Sequence, residues 1–130
     1  MSYFLSLFAS AFVVFAAIDV FAITYIITPL YRSKVPEILA SKFALLPALS
    51  FYIIYIAGIV YFAIMPALKS GSVLSAFVNG ALLGAFAYAT FTLTNMALLK
   101  NWPISIAVSD ILWGALLTGM VAALVVWFFK

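Results

Sequence analysis

Asp19 and Asp110 are the residues here best placed to do chemistry, because each stands in a long stretch that holds no other charge. Asp19 is the one charge between Met1 and Tyr31, and Asp110 the one charge between Asn101 and Phe129. A carboxyl among apolar residues can hold or exchange a proton, bind a cation, or act as a general acid or base. Inside a membrane span it costs roughly 2.5–3.5 kcal/mol on insertion scales, so it needs an explanation. One explanation is structural: a protonated carboxyl bonded to a tyrosine or to the other aspartate, fixing helix register. The other is functional, a polar pocket within the bilayer.

Further polar groups gather around the two acids. Tyr88, Thr92 and Asn95 follow an i, i+4, i+7 spacing and share one face of a helix. Trp113, three residues after Asp110, shares its face. Tyr52 and Tyr55 lie ~12–17 Å into their span. Measured the same way, Asp19 lies ~13 Å before the end of its helix and Asp110 ~10 Å after the start of its own. The two helices run antiparallel and both measurements start from one membrane face, so the acids are expected at similar depth. The candidate pocket is therefore Asp19, Tyr52, Tyr55, Tyr88, Thr92, Asn95, Asp110 and Trp113. The tyrosines have a second reading as packing aromatics whose hydroxyls need partners once buried.

The elements that position these residues follow from composition. The chain has 130 residues, 69% of them hydrophobic and 7% charged, where a soluble domain carries about 25% charged residues. Four apolar runs each exceed the roughly 20 residues needed to cross a hydrocarbon core. The reading is a single all-α membrane domain over 1–130, an antiparallel bundle of four transmembrane helices at roughly 4–28, 44–66, 73–98 and 103–128. Residues 1–18 lack a basic leader and a cleavage pattern, so they read as a retained first helix rather than a signal peptide. Gly80 and Gly84 continue the polar stripe of the third helix in a G-x-x-x-G spacing, which suits either packing within the bundle or a dimer face.

The connections are marked by Pro29 and Pro36 around Tyr31-Arg32-Ser33-Lys34, by Pro66 with Lys69-Ser70-Gly71-Ser72, and by Lys100-Asn101-Trp102-Pro103. Tyr3, Tyr31, Trp102 and Trp127 fall where interfacial aromatics are expected. Arg32, Lys34, Lys42 and Lys100 on one side, against Lys69 and Lys130 on the other, orient both termini outside. Arg32 reads as an interfacial anchor, or folds inward to pair with Asp19. The scattered cations make no nucleic-acid footprint. Cysteine and histidine are absent, which excludes disulfides, Cys/His metal sites, thiol nucleophiles and a Ser–His–Asp triad. No cofactor motif stands out.

Phe86-Ala87-Tyr88-Ala89-Thr90-Phe91-Thr92-Leu93-Thr94-Asn95, then Lys100-Asn101-Trp102-Pro103 and Asp110-Ile111-Leu112-Trp113-Gly114, resemble the signature of an uncharacterised membrane protein family, DUF2177. The resemblance extends through Phe51–Phe62, Ile18-Asp19 and Pro29-Leu30-Tyr31-Arg32. It implies a four-helix integral protein of a bacterial inner membrane, with no activity to carry over. It also implies a genomic neighbourhood of fatty-acid-modifying enzymes, which is association and not mechanism. Where the family pattern resembles Tyr-Asp, this chain has Phe91-Thr92, and Phe21-Ala22 stand where a tryptophan usually follows the first acid. The first departure leaves Asp19 and Asp110 without a third carboxylate.

Three functions remain open. The pocket binds or transports a proton, a cation or a small amphipathic molecule; or a raised-energy carboxyl serves an enzyme that rearranges lipid acyl chains; or the protein is an accessory subunit whose acids fix register. The enzyme reading is the less favoured, because no residue pattern demands it. Membrane lipids are the immediate partners. One protomer can hardly enclose a conducting path, so a transporter of this size is expected to be a homo-oligomer or to pair with another membrane protein.

Overall fold

The computed structural model describes residues 2–38 and 44–130. Its four membrane-length helices are α1 (Tyr3–Lys34), α2 (Leu45–Ser70), α3 (Val73–Leu98) and α4 (Ile104–Phe129). The architecture is an all-helical bundle of four apolar spans, as the hydropathy pattern requires. Large apolar side chains such as Val13, Ile54, Leu82 and Leu116 cover its outside, where a soluble protein would place polar groups.

The first two helices are longer than the prolines suggested. Pro29 was expected to end the first helix near residue 28, and Pro66 to end the second. Instead α1 runs on to Lys34 and α2 to Ser70. Proline in a regular helix clashes with the carbonyl four residues back and lacks an N–H. Both helices meet this by widening into a π turn just before the proline, at Ile23–Ile27 and at Val60–Ile64. The Thr28 N–H reaches back five residues to Ile23, and the Met65 N–H to Val60. Each proline then occupies the first turn of a new α-helical segment, where a missing donor is tolerated. The second helix starts at Leu45 with Ala44 as its N-cap, within a residue of the expected start at 44. The expectation for Lys42 falls in residues 39–43, which lie outside the described residues.

The inner half of the bundle farthest from the 35–44 connection is an apolar core. Leu7, Ala11 and Phe15 of α1 meet Ile56, Ile59 and Val60 of α2, with Leu117, Val121 and Val125 of α4. The α1 stripe recurs every four residues, and its next member is Asp19, also buried. The acid therefore points inward for the same geometric reason as Phe15.

Helices α3 and α4 pack backbone to backbone through glycine. A Cβ on Gly80 would stand 2.6 Å from the Thr118 carbonyl oxygen, and one on Gly84 would collide with the Gly114 carbonyl. The G-x-x-x-G face thus serves packing within the bundle. Ser72 caps α3 by accepting the Ser75 N–H at 3.0 Å, and Gly71 makes the preceding turn at φ +68°.

Gly84→Ala is expected to destabilise the protein by about 1–3 kcal/mol through overpacking. Gly58→Ala, where the added methyl meets nothing within 4 Å, is expected to be neutral or stabilising. Unfolding curves of both variants in mixed micelles check the contrast; equal stability would contradict the close α3–α4 approach.

Candidate functional site

The polar groups of the other half of the bundle surround one cavity of about 320 Å³. Asp19 and Tyr31 come from α1, Tyr52 from α2, Tyr88 from α3, and Asp110 and Trp113 from α4. The remainder of the wall is apolar, including Ile23 and Ile27 of the α1 π turn and Phe91 of α3. Among the described residues no lysine or arginine lines this chamber. Arg32 does not make the inward pairing with Asp19 that sequence left open; the Asp19 carboxyl is held by neutral donors.

Those donors arrive from two helices. The Tyr52 hydroxyl donates to Asp19 Oδ2 at 2.7 Å, and the Trp113 indole N–H donates to Asp19 Oδ1 at 3.3 Å. Asp110 has a separate set. The Tyr31 hydroxyl stands 2.9 Å from each of its carboxyl oxygens. Nearby, the fully buried Thr92 accepts the Trp102 indole N–H at 2.9 Å. Edge-on contact between Tyr31 and Trp102, with centroids 5.8 Å apart, closes this corner.

The two acids thus line one chamber without sharing a partner. The continuation of α1 past Pro29 brings Tyr31 to Asp110.

Tyr88 completes the site. Its ring packs against Gly114, where any Cβ would collide with it, and stands edge-on to Tyr55 at 6.1 Å. Among the described residues no group hydrogen-bonds the Tyr88 hydroxyl, although every buried side-chain N or O has a partner. This hydroxyl therefore faces the open chamber, within the electrostatic reach of both aspartates.

Of the residues singled out from sequence, Asp19, Tyr52, Tyr88, Asp110 and Trp113 line the chamber, and Tyr55, Thr92 and Asn95 do not. Tyr55 sits on the apolar-core side, bonded to Thr118 at 2.7 Å. Thr92 is buried behind Asp110. Asn95, a turn nearer the end of α3, is half-buried, and its carbonyl accepts the Leu99 N–H. Sequence reasoning missed Tyr31 and Trp102, both assigned to the membrane interface, and it missed Thr118. In a regular α-helix Tyr31, twelve residues after Asp19, would lie about 120° around the axis from it. The π turn at Ile23–Ile27 takes up an extra residue and returns Tyr31 toward the chamber, so residue spacing alone gave no signal for it.

Residues 4–127 match the family described as predicted membrane protein (DUF2177). The chain belongs to the DUF2177 family. That membership agrees with the four candidate spans and with a multi-pass membrane protein. No curated protein and no solved structure matches the chain.

Interhelical hydrogen bonds in membranes average about 0.6 kcal/mol, with a maximum near 1.7 kcal/mol. A double-mutant cycle of Tyr52→Phe with Asp19→Asn should show coupling in that range. The cycle of Tyr52→Phe with Asp110→Asn should be additive within about 0.5 kcal/mol. SDS-driven unfolding measures both; coupling in the second cycle only would contradict the two separate partner sets.

Proposed function

We propose that this DUF2177 protein reversibly binds a small cation, proton included, in the chamber between Asp19 and Asp110, as the binding step of a carrier. The observation that carries this reading is the composition of the wall. Two carboxyls and an uncommitted tyrosine hydroxyl face one cavity that, among the described residues, has no lysine or arginine. A positive ligand supplies the counter-charge that the described residues do not place there. Apolar walls strengthen the attraction by lowering the local dielectric.

The donors divide the work. Tyr52 with Trp113 orients the Asp19 carboxyl and Tyr31 that of Asp110, leaving part of each oxygen's acceptor capacity for the ligand. Tyr88 adds a neutral oxygen that can accept from an ammonium group. The volume, about 320 Å³, suits a small organic cation better than a bare metal ion, which would need more oxygen donors.

The chamber lies in the half of the bundle nearer Lys34 and Lys100, the side that the basic bias assigns to the cytoplasm. In a bacterial inner membrane the ligand would then be taken up from, or released to, the cytoplasmic half of the bilayer. Carriage across the membrane needs a second opening, which an oligomer or a rearrangement of α1 and α2 would provide.

Equilibrium binding of butylammonium to the protein in lipid nanodiscs checks the reading. Affinity is expected to fall as pH is lowered, because protons and the cation compete for the same carboxyls. The titrating groups are Asp19 and Asp110, faced by Tyr52 and Trp113, by Tyr31 and Thr92, and by Tyr88. Asp19→Asn with Asp110→Asn should reduce binding at least tenfold, and Tyr88→Phe about two- to fivefold. Binding that ignores both pH and the double substitution would overturn the proposal.

A further inference from the structure

A second cavity adjoins the chamber. It is a groove of about 550 Å³ on the outer surface between α1 and α2. Val20 and Thr24 of α1 and Leu49 of α2 line it, and all three are exposed on the surface that faces lipid. Ile23, Ala48 and Tyr52 line both the groove and the chamber. Tyr52 is the shared wall: its hydroxyl is bonded to Asp19 at 2.7 Å, and the same residue borders the groove.

We infer that the ligand is a single-chain amphiphilic cation, an alkylammonium, that enters sideways from the bilayer. Its alkyl chain lies in the α1–α2 groove and its charged head passes Tyr52 into the chamber. This rests on the reading of the chamber as a cation site. Three observations select the occupant. The groove is apolar and open to lipid, so it suits an alkyl chain and excludes a free hydrated ion. It is continuous with a wall bearing two carboxyls, so the head that fits is positive; a fatty acid would bring a third carboxyl to the same place. Its inner edge is Ile23, the first residue of the α1 π turn, a feature that occurs frequently at functional sites. The α3–α4 side of the chamber is closed by the glycine contacts, and the cavity that adjoins it between α1 and α4 holds only about 130 Å³, so the α1–α2 groove is the roomier route for an alkyl chain.

Thr24 and Val20 line the groove and not the chamber, and both side chains are exposed, so enlarging them fills the groove alone. The test uses Thr24→Trp and, separately, Val20→Trp in nanodiscs, with two probes: butylammonium, which reaches the chamber from water, and dodecylammonium, which partitions into the bilayer. Binding is referred to the probe concentration in the phase from which it binds, with empty nanodiscs subtracted. Dodecylammonium affinity is expected to fall at least tenfold in both variants, while butylammonium affinity stays within twofold of the unaltered protein. Dodecanoate is expected not to compete. The inference is overturned if dodecylammonium binds equally well with the groove filled, if both variants lose both probes, or if dodecanoate displaces the amine. If the unaltered protein binds neither amine, the cation chamber fails with it; if butylammonium binds and only the groove result is negative, the chamber stands and the lateral entry falls.

Discussion

A carboxyl within hydrocarbon must be surrounded by hydrogen-bond donors, and the placement of this chain's polar groups follows from that constraint. Asp19 lies on the stripe that buries Leu7, Ala11 and Phe15, so it faces the bundle interior whatever its charge state. Once there it requires neighbours, and Tyr52 and Trp113 supply them from α2 and α4. Asp110 is met in the same way by Tyr31 from α1. Asp19 thereby ties α1 to two other helices, and Asp110 ties α4 to α1. Neutral donors satisfy the geometry without supplying a counter-charge, which is the feature the proposed cation site relies on.

The bundle divides into a tight pair and a looser pair. Glycines let α3 and α4 approach until their backbones touch, which fixes Tyr88, Asp110 and Trp113 relative to one another. Helices α1 and α2 each carry a π turn and a proline, and a groove separates them on the lipid side. In the proposed binding scheme, α3 and α4 hold the geometry and the α1–α2 groove is the ligand's way in.

Much of this was legible in the sequence, and the part that was not has a definite cause. Asp19 and Asp110 announce themselves by interrupting uncharged runs, and Tyr88, Trp113 and the glycine pair follow from helical spacing. The errors trace to Pro29. Reading it as a terminator shortened α1 and assigned Tyr31 to the interface. Nothing in residue types reveals that a π turn will absorb a proline, since the solution lies in backbone hydrogen bonding. Trp102 was misplaced for a related reason. A tryptophan before a proline in a short turn reads as an interfacial anchor, whereas its indole N–H finds the buried Thr92. Asn95 shows the converse: a shared stripe establishes a face, but not how far along that face the cavity extends.

The sequence contains two aspartates, so aspartate labelled with ¹³C at the side-chain carboxyl gives one signal for Asp19 and one for Asp110. Solid-state NMR in lipid bilayers, with ¹⁵N at the tryptophan rings and deuterons exchanged into the tyrosine hydroxyls, reads the surroundings of each carboxyl directly. Both signals are expected to report a nearby tyrosine hydroxyl, one of them also a tryptophan ring nitrogen, and both to shift together when an alkylammonium is added. Carboxyl signals that report only lipid, or a ligand that moves one and leaves the other unchanged, would contradict a shared chamber.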